Sequence, residues 1–481
     1  MSGRHGDASS GPGHTSSKRN LRPLGGLLAA MAVSLTGTRI SAIALPWFVL
    51  VTTGSATQTG LVAFCEMTPY VLVKALAGPL IDRAGPRTVS WTTDLASATA
   101  AAAVPLLHAL DLLSLPLLLG LVALIGSARG PGDLAKEVMV PQAAEHSRIP
   151  LERATGLTGV TERLAATIGP AAGGSLVALF SPLMGLALNA ACFTLGSLII
   201  ALALPRGIGL AVDNAPPTHE NSQAGASQAG FPQAQGSQAR DLQAEEPQTE
   251  DSRPGYWRRF GEGFAFLRSQ PLLLTIIVMV SITNLLDSAF TTVLLPVWAR
   301  ESGNGPAVIG LNSSVGGAAA IVGSLVAATI AHRMRRRIVF FAGFLLAGPP
   351  RFLVLASHAP TWVVLTVFAV GGFGAGFLNP ILGAISFERV PRHLLGRVSA
   401  LGDALAWAGI PFGGLIAGAA ATSIGLVPAL LIGGVAYFLT TTLTALRPEW
   451  REMDRSRRQH NPPDTLPDYC EGSQKSCGSP P

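Results

Sequence analysis

The chain has 481 residues, of which 48% are hydrophobic and only 13% charged, and its mean hydropathy is +0.42. A soluble domain carries about 25% charged residues, so this composition excludes an ordinary water-soluble protein and indicates one that lies in lipid. The net charge of +6 does not indicate a nucleic-acid-binding surface, because the basic residues occupy short loops between apolar segments. The four cysteines show neither a disulfide framework nor the spacing of metal ligands.

The first half of the chain predicts six membrane spans. Residues 1–20 are polar and are predicted to be a disordered tail, and the apolar segment that follows is too long for a signal peptide, so we expect it to remain in the mature protein. Segments of spanning length lie at 24–52, 58–81, 88–110, 112–140, 155–179 and 184–204. They form a predicted six-helix bundle over 21–205.

A low-complexity segment separates the two halves. Residues 206–254 are rich in Gln, Ala, Ser and Pro and cannot bury enough apolar surface to fold, so they are predicted to be a disordered cytoplasmic linker. A second six-helix bundle is predicted over 255–446, with spans at 271–297, 306–331, 338–357, 361–386, 398–420 and 423–446. A disordered tail is predicted over 447–481. The fold class is therefore all-α, with about twelve transmembrane helices in two pseudo-symmetric bundles.

Alternate loops differ in basic charge. One set contains IDRAGPRTV, EHSRIPLERA, HRMRRRIV and FERVPRHLLGRV, whereas the opposite set is nearly free of basic residues apart from Arg300. Because Lys and Arg are retained on the cytoplasmic side, both termini are predicted to be cytoplasmic in a multi-pass inner-membrane protein.

The two halves repeat each other. Span 2 ends in GPLIDRAGPR, and span 8 ends in a degenerate copy, ATIAHRMRRR; span 5 carries GPAAGG where span 11 carries GIPFGG. Transporters built from such repeats bind their substrate between the repeats, near the middle of the bilayer. The repeat therefore predicts a transport site between the two bundles.

The segment GPLIDRAGPR resembles the loop 2–3 signature of the major facilitator superfamily, G-x-x-x-D-R-x-G-R-R/K. The matching residues are Gly78, Asp82, Arg83, Gly85 and Arg87. Pro86 departs from the signature where a basic residue is common. In that family the aspartate pairs across the domain interface and stabilises the outward-facing state, so the resemblance implies that Asp82 is a gate latch. A turn that only sets topology is the alternative.

A second motif lies in span 5 and resembles the one associated with antiporters of that superfamily. Its residues are Gly156, Gly169, Pro170, Gly173 and Gly174, and Ala165 replaces an expected glycine. The resemblance implies export, with a bend that keeps the path closed to leaks, whereas close helix packing alone is the alternative. Segments such as IALPWFVLVTTGSATQTGLVAF resemble the macrolide-efflux and siderophore-exporter branch.

Ionisable residues inside spans are candidates for proton coupling, because each costs about 2.5–3.5 kcal/mol to insert unless it is paired or faces a cavity. Arg39 and Glu66 are expected to pair, and Glu66 near a cation could load and release a proton. Asp287 is a deep rival in span 7. Asp94 and Asp403 lie nearer the inner ends of their spans, where solvation is cheap.

Two further arginines and three pocket residues complete the candidate set. Arg129 falls where the family often has an arginine assigned to proton handling, but an ion pair with Asp133, four residues on, is the alternative. Arg351 follows Gly-Pro-Pro, so it either lines a cavity at a broken helix or snorkels. Phe64, Asn284 and Trp407 are candidates for pocket lining, with core packing as the alternative.

The predicted function is secondary active transport: proton-coupled efflux of drugs or amphipathic metabolites, such as a macrolide-like antibiotic or a siderophore, by alternating access. No HExxH or Walker motif occurs, so we predict neither an enzyme nor a cofactor. Proton-linked nutrient uptake and a transport-dead sensor are the alternatives. The expected partners are a small amphipathic substrate, protons and the lipid bilayer, with no nucleic acid, and the chain is expected to act as a monomer.

Overall fold

The computed structural model describes residues 21–205, 208, 264–330, 334–391 and 394–453. The predicted N-terminal tail, nearly all of the predicted linker and the chain from 454 onward lie outside these residues. Within the described part the secondary structure is helical and contains no strand.

Twelve long helical segments cross the bundle, and we number them as spans 1–12. The first six are Arg22–Thr53, Ala56–Leu76, Pro86–Ala109, Leu115–His146, Leu151–Leu179 and Pro182–Ala203. The membrane-spanning parts of the last six are Pro271–Glu301, Gly305–Ile330, Arg336–Ala356, Thr361–Ser386, Val398–Ile424 and Leu426–Ala445.

Ten of the spans are long and apolar enough to cross a membrane by themselves. The other two, spans 3 and 5, carry more polar and charged residues. They pack into the same bundle, span 3 against spans 4 and 6 and span 5 against spans 1 and 8. The predicted all-α, twelve-span fold is confirmed.

Four spans of the second half are interrupted. Span 9 consists of Arg336–Ala347 and Pro349–Ala356, and span 11 consists of Leu395–Trp407 and Ile410–Ile424. Proline follows both breaks, because its missing N–H cannot continue the helical hydrogen bonds. In span 7 a π-helical turn at Phe290–Leu294 separates Pro271–Ala289 from Leu295–Glu301, and span 10 divides into Thr361–Ala375 and Leu378–Arg389. These breaks leave irregular backbone inside the bundle. Binding sites of transporters are commonly formed by broken helices of this kind.

Short helical elements flank the spans, including one at 264–269 before span 7. The helix Gly78–Ala84 joins spans 2 and 3, and a 3₁₀ turn at Pro448–Arg451 follows span 12. Trp450 is completely buried and packs against Phe340, with ring centroids 5.6 Å apart. The chain therefore stays packed through Met453, and the predicted tail boundary at Arg447 lies too early, because a polar local composition concealed these buried side chains.

The bundle has two faces. We call the face that holds the beginning of span 1 and the end of span 12 the terminal face. The opposite face is the distal face. Near the distal face, spans 2 and 11 touch through their backbones: a Cβ on Gly418 would lie 2.5 Å from the Ala56 carbonyl oxygen, and the hydroxyls of Thr57 and Thr422 are 2.8 Å apart. Gly60 meets the Gly414 carbonyl in the same way.

Spans 5 and 8 make the second contact between the halves. Gly310 lies against the Pro170 carbonyl, and a Cβ on Gly174 would lie 2.8 Å from the Pro306 carbonyl oxygen. Arg300 adds a hydrogen bond from Nη1 to the Leu50 carbonyl, 3.0 Å away, at the end of span 1. The halves are therefore closed on the distal side.

Toward the terminal face, spans 5 and 8 meet at Thr167, where a Cβ on Gly317 would lie 3.1 Å from the Thr167 hydroxyl oxygen. Glu162, further along span 5 toward this face, is exposed. Spans 2 and 11 stay in contact toward the same face, as far as Tyr70 and Trp407.

We predict that Gly310→Val opens the distal side, because its side chain would collide with the Pro170 carbonyl and overpacking costs about 1–3 kcal/mol. Spin labels at Thr53→Cys and Ser423→Cys in a chain without its native cysteines should show longer distances. Gly120→Val is the control, since nothing lies within 4 Å of a Cβ there. Unchanged distances in Gly310→Val would contradict the backbone seal.

Candidate transport site

A row of charged residues runs along one face of span 4. Arg129, Asp133, Lys136 and Glu137 recur at helical spacing, so they point to the same side, toward spans 2 and 3. Arg129 Nη1 lies 3.1 Å from Glu66 Oε1, and its Nε lies 3.6 Å from Asp133 Oδ2. The guanidinium also lies over the Tyr70 ring, 4.4 Å from its centroid. The Arg129 side chain, 11% exposed, thus has two carboxylates and an aromatic face.

Glu66 and Arg129 line a cavity of about 150 Å³ to which Arg39 and Thr292 also contribute. Thr292 belongs to span 7, so both halves reach this cavity. The predicted Arg39–Glu66 pair is replaced by Glu66–Arg129. Span 4 can approach span 2 this closely because it presents Gly126 to the Glu66 backbone carbonyl, whereas the stem of Arg39 packs against span 5.

The glycines of the span 5 motif contact two different partners. A Cβ on Gly169 would lie 2.5 Å from Arg39 Cβ, and one on Gly173 would lie 2.9 Å from the Ile40 Cα, so both face span 1. Pro170 and Gly174 instead face span 8 of the other half. Gly156 has nothing within 4 Å of a Cβ position. The motif therefore packs span 5 between its own half and the opposite half.

The loop 2–3 signature forms the tight turn at the terminal face. Gly85 has φ +79°, a conformation that glycine adopts without strain. Arg87 donates to the carbonyls of Ala201 at 2.5 Å and Leu204 at 3.0 Å, which ties the turn to the end of span 6. Asp82 and Arg83 are exposed, and the structure records no hydrogen bond or ion pair between either one and another described residue. A Cβ on Gly78 would meet nothing within 4 Å.

In the described part of the second half, Asp287 of span 7 and Arg351 of span 9 form an ion pair inside the bundle. The sequence presented these residues as separate candidates. The break at Gly348 brings Arg351 toward span 7, where its guanidinium lies 4.8 Å from the Phe290 centroid. Arg351 also lines a cavity of about 200 Å³ among spans 7–10.

The three pocket candidates lie where the halves meet or beside the break in span 11. Phe64 packs against Phe412 with centroids 5.7 Å apart. Trp407 stacks on Tyr70 at 6.5 Å with an interplanar angle of 17°. Asn284 Nδ2 donates to the Ala406 carbonyl at 3.0 Å, so it satisfies backbone beside the broken helix. The three residues belong to the packing between spans 2, 7 and 11.

A buried ion pair was missed in the sequence. Lys136 Nζ lies 2.8 Å from Asp94 Oδ1, and these side chains are 3% and 1% exposed. Asp94 is thus completely buried, which corrects the expectation that it is cheaply solvated near a span end; Asp403 is exposed. The signal was the helical spacing of Lys136 with Arg129 and Asp133. Lys74 and Glu137, 3.0 Å apart, form a second pair that the sequence analysis missed.

These features define a multi-pass membrane transporter with two six-helix halves and charged groups between its spans. The family model of the Major Facilitator Superfamily matches residues 27–292 and 277–467. The chain belongs to this superfamily, as its loop 2–3 signature predicted.

Curated relatives cover nearly the whole chain. It is 29% identical over 457 residues to the multidrug efflux pump Tap of Mycolicibacterium fortuitum, a match covering 92% of this chain and 98% of that protein. It is also 29% identical over 437 residues to Tap of Mycobacterium tuberculosis, covering 89% of this chain and 94% of that protein.

Solved structures share the fold at low identity. The nucleoside transporter NupG has a TM-score of 0.61 and 14% identity, with 90% of this chain and 99% of that chain covered. A bacterial homolog of the human lysosomal transporter Spinster, inward-facing and unoccupied, has a TM-score of 0.58 and 13% identity, with 92% and 98% covered. These likenesses show the fold alone.

We predict that Lys136→Met destabilises the protein by about 3–5 kcal/mol, because it leaves the buried Asp94 carboxylate without its counter-ion. The double variant Asp94→Leu with Lys136→Met should recover most of this loss in thermal unfolding of the detergent-solubilised protein. Lys74→Met is the matched control: its partner Glu137 is half exposed, so about 0–1 kcal/mol is expected. Equal losses for the two lysines would contradict this assignment.

Proposed function

We propose that this protein exports small amphipathic, drug-like compounds in exchange for protons, by alternating access. The observation that carries the proposal is Glu66: a carboxylate inside the bundle that lines a cavity reached by both halves and pairs with Arg129. The names of the two Tap relatives, both multidrug efflux pumps, support the direction and the class of cargo.

Arg129 has a second counter-ion, which makes Glu66 suited to carry a proton. When Glu66 is neutralised, the guanidinium keeps Asp133 and the face of Tyr70, so no buried cation is left alone. The proton therefore removes one ion pair between spans 2 and 4 without stranding its partner. Span 2 also contacts span 11 of the other half. Loss of the Glu66–Arg129 pair would therefore free span 2 to move at the interface between the halves.

The orientation we propose places the terminal face on the cytoplasmic side of the inner membrane. Among the described loops, this face carries Arg87, Arg148 and Arg389, and the distal face carries Arg300. The closed distal side would then face away from the cytoplasm, and a cargo for export would enter between the halves from the terminal face. The chain would work as a monomer, since each half supplies one wall of the path.

We predict that Glu66→Gln abolishes protonophore-sensitive efflux of a fluorescent amphipathic dye from bacteria lacking their own pumps, because the amide cannot carry the proton. Asp287→Asn removes the counter-ion of Arg351 and should lower the amount of folded protein, but the efflux that remains should stay protonophore-sensitive, which assigns coupling to the first half. Glu145→Gln, an exposed carboxylate at the end of span 4, is the control. Undiminished, protonophore-sensitive efflux by Glu66→Gln would refute its role, and dye uptake in place of efflux would refute export.

We also predict that Asp82→Asn stops dye efflux while leaving the amount of inserted protein unchanged. Asp82 is exposed when the distal side is closed, so the family's latch can engage only after the terminal side closes. Glu152→Gln, exposed on the same face, should transport normally. Normal transport by Asp82→Asn would leave the signature with a role in topology alone.

A further inference from the structure

The cavity among spans 7–10 is separate from the one that holds Glu66. Its volume is about 200 Å³, and its wall includes Phe290, Asn312, Arg351, Phe368, Gly371 and Gly372. Pockets for drug-sized ligands measure about 300–1,000 Å³, whereas one water occupies about 30 Å³. The cavity is therefore sized for a single ring with its substituent, and not for a whole drug-like molecule.

Asn312 lies in the wall of this cavity with its amide unsatisfied. The residue is 0% exposed, and neither Oδ1 nor Nδ2 has a hydrogen-bond partner among the described residues. A buried polar group without a partner costs on the order of 1–3 kcal/mol, and native proteins leave few of them. The Arg351 Nε, in the same wall, is likewise without a hydrogen-bond partner in the described part of the chain.

The unmet groups define the chemistry of the missing partner. Asp287 already neutralises Arg351, so the cavity does not require an anion. Asn312 Oδ1 needs a donor, and Asn312 Nδ2 and Arg351 Nε need acceptors. A group that carries an N–H donor beside a carbonyl acceptor answers both needs.

The apolar part of the wall is partly aromatic and can accommodate a flat group. The rings of Phe290 and Phe368 are 6.0 Å apart between centroids, and Gly371 and Gly372 add side-chain-free backbone. Aromatic faces of this kind pack best against planar groups.

We propose that this cavity binds an uncharged, planar carboxamide or lactam head group of the exported compound, with Asn312 forming hydrogen bonds to the amide. This inference rests on the proposed export function and specifies its cargo.

The test uses the purified full-length protein in lipid nanodiscs and three probes that differ in one group. Benzamide has the N–H donor and the carbonyl, methyl benzoate lacks the donor, and benzoate is an anion. Saturation-transfer NMR titrations should show methyl benzoate and benzoate binding about tenfold more weakly than benzamide, the order of one buried hydrogen bond. Equal binding of the three probes by the wild type overturns the proposal, and this comparison needs no variant.

Asn312→Leu keeps the shape of the side chain and removes the amide. It should bind benzamide and methyl benzoate alike, with a melting temperature equal to or above that of the wild type. Asn189→Leu is the matched control, because Asn189 is also buried with an unpartnered Oδ1 but lies between spans 1 and 6. A benzamide preference that survives in Asn312→Leu refutes the assignment.

The dye experiment separates this inference from the export proposal. Proton-dependent dye efflux by a protein that shows no benzamide preference refutes the amide site and leaves export standing. A benzamide preference that depends on Asn312, in a protein that moves no dye, supports the amide site and overturns export.

Discussion

The structure depends on one electrostatic constraint: a charge held between membrane spans needs its counter-charge within the protein, because hydrocarbon offers no solvation. Arg129, Lys136 and Arg351 each meet this requirement through a carboxylate from another span. The pairs fix which spans lie next to each other, so they determine the packing of both halves as well as their chemistry. Arg129 and Lys136 share a second carboxylate, Asp133, so either cation can lose one partner without being left unpaired, whereas Arg351 has only Asp287 among the described residues.

The two halves carry different chemistry within a repeated architecture. The described first half concentrates its charges along span 4, where carboxylates and cations alternate from Arg129 to Glu137. The second half combines the Asp287–Arg351 pair with aromatic rings, broken helices and the unsatisfied amide of Asn312. On our proposals the first half couples transport to protons and the second recognises the cargo. Movement of the halves about the distal seal would then connect the two tasks.

Much of the fold was predictable from the sequence, because a membrane span can be recognised from the length and apolarity of a single segment. The loop 2–3 signature identified the family, and Gly348-Pro349-Pro350 marked the break that brings Arg351 to Asp287. The pairing of charges was harder to predict. Arg39 and Glu66 lie on consecutive spans, but the small residues of span 4 let Arg129 reach Glu66 first. Asn312 gave no signal at all, since an unsatisfied amide becomes visible only when its surroundings are known.

The distal seal and the second-half cavity are built from separate residues. Gly60, Gly174, Gly310 and Gly414 meet the opposite half through backbone, and none of them lines either cavity. Gly414 also contacts Ala63 and Thr292, which line the cavity of Glu66. Mutations that reshape the cavity of Arg351 can therefore accumulate without disturbing closure, whereas the seal tolerates almost no change in side-chain size. Over evolutionary time, such a protein can acquire resistance to new compounds while its gating machinery stays constant.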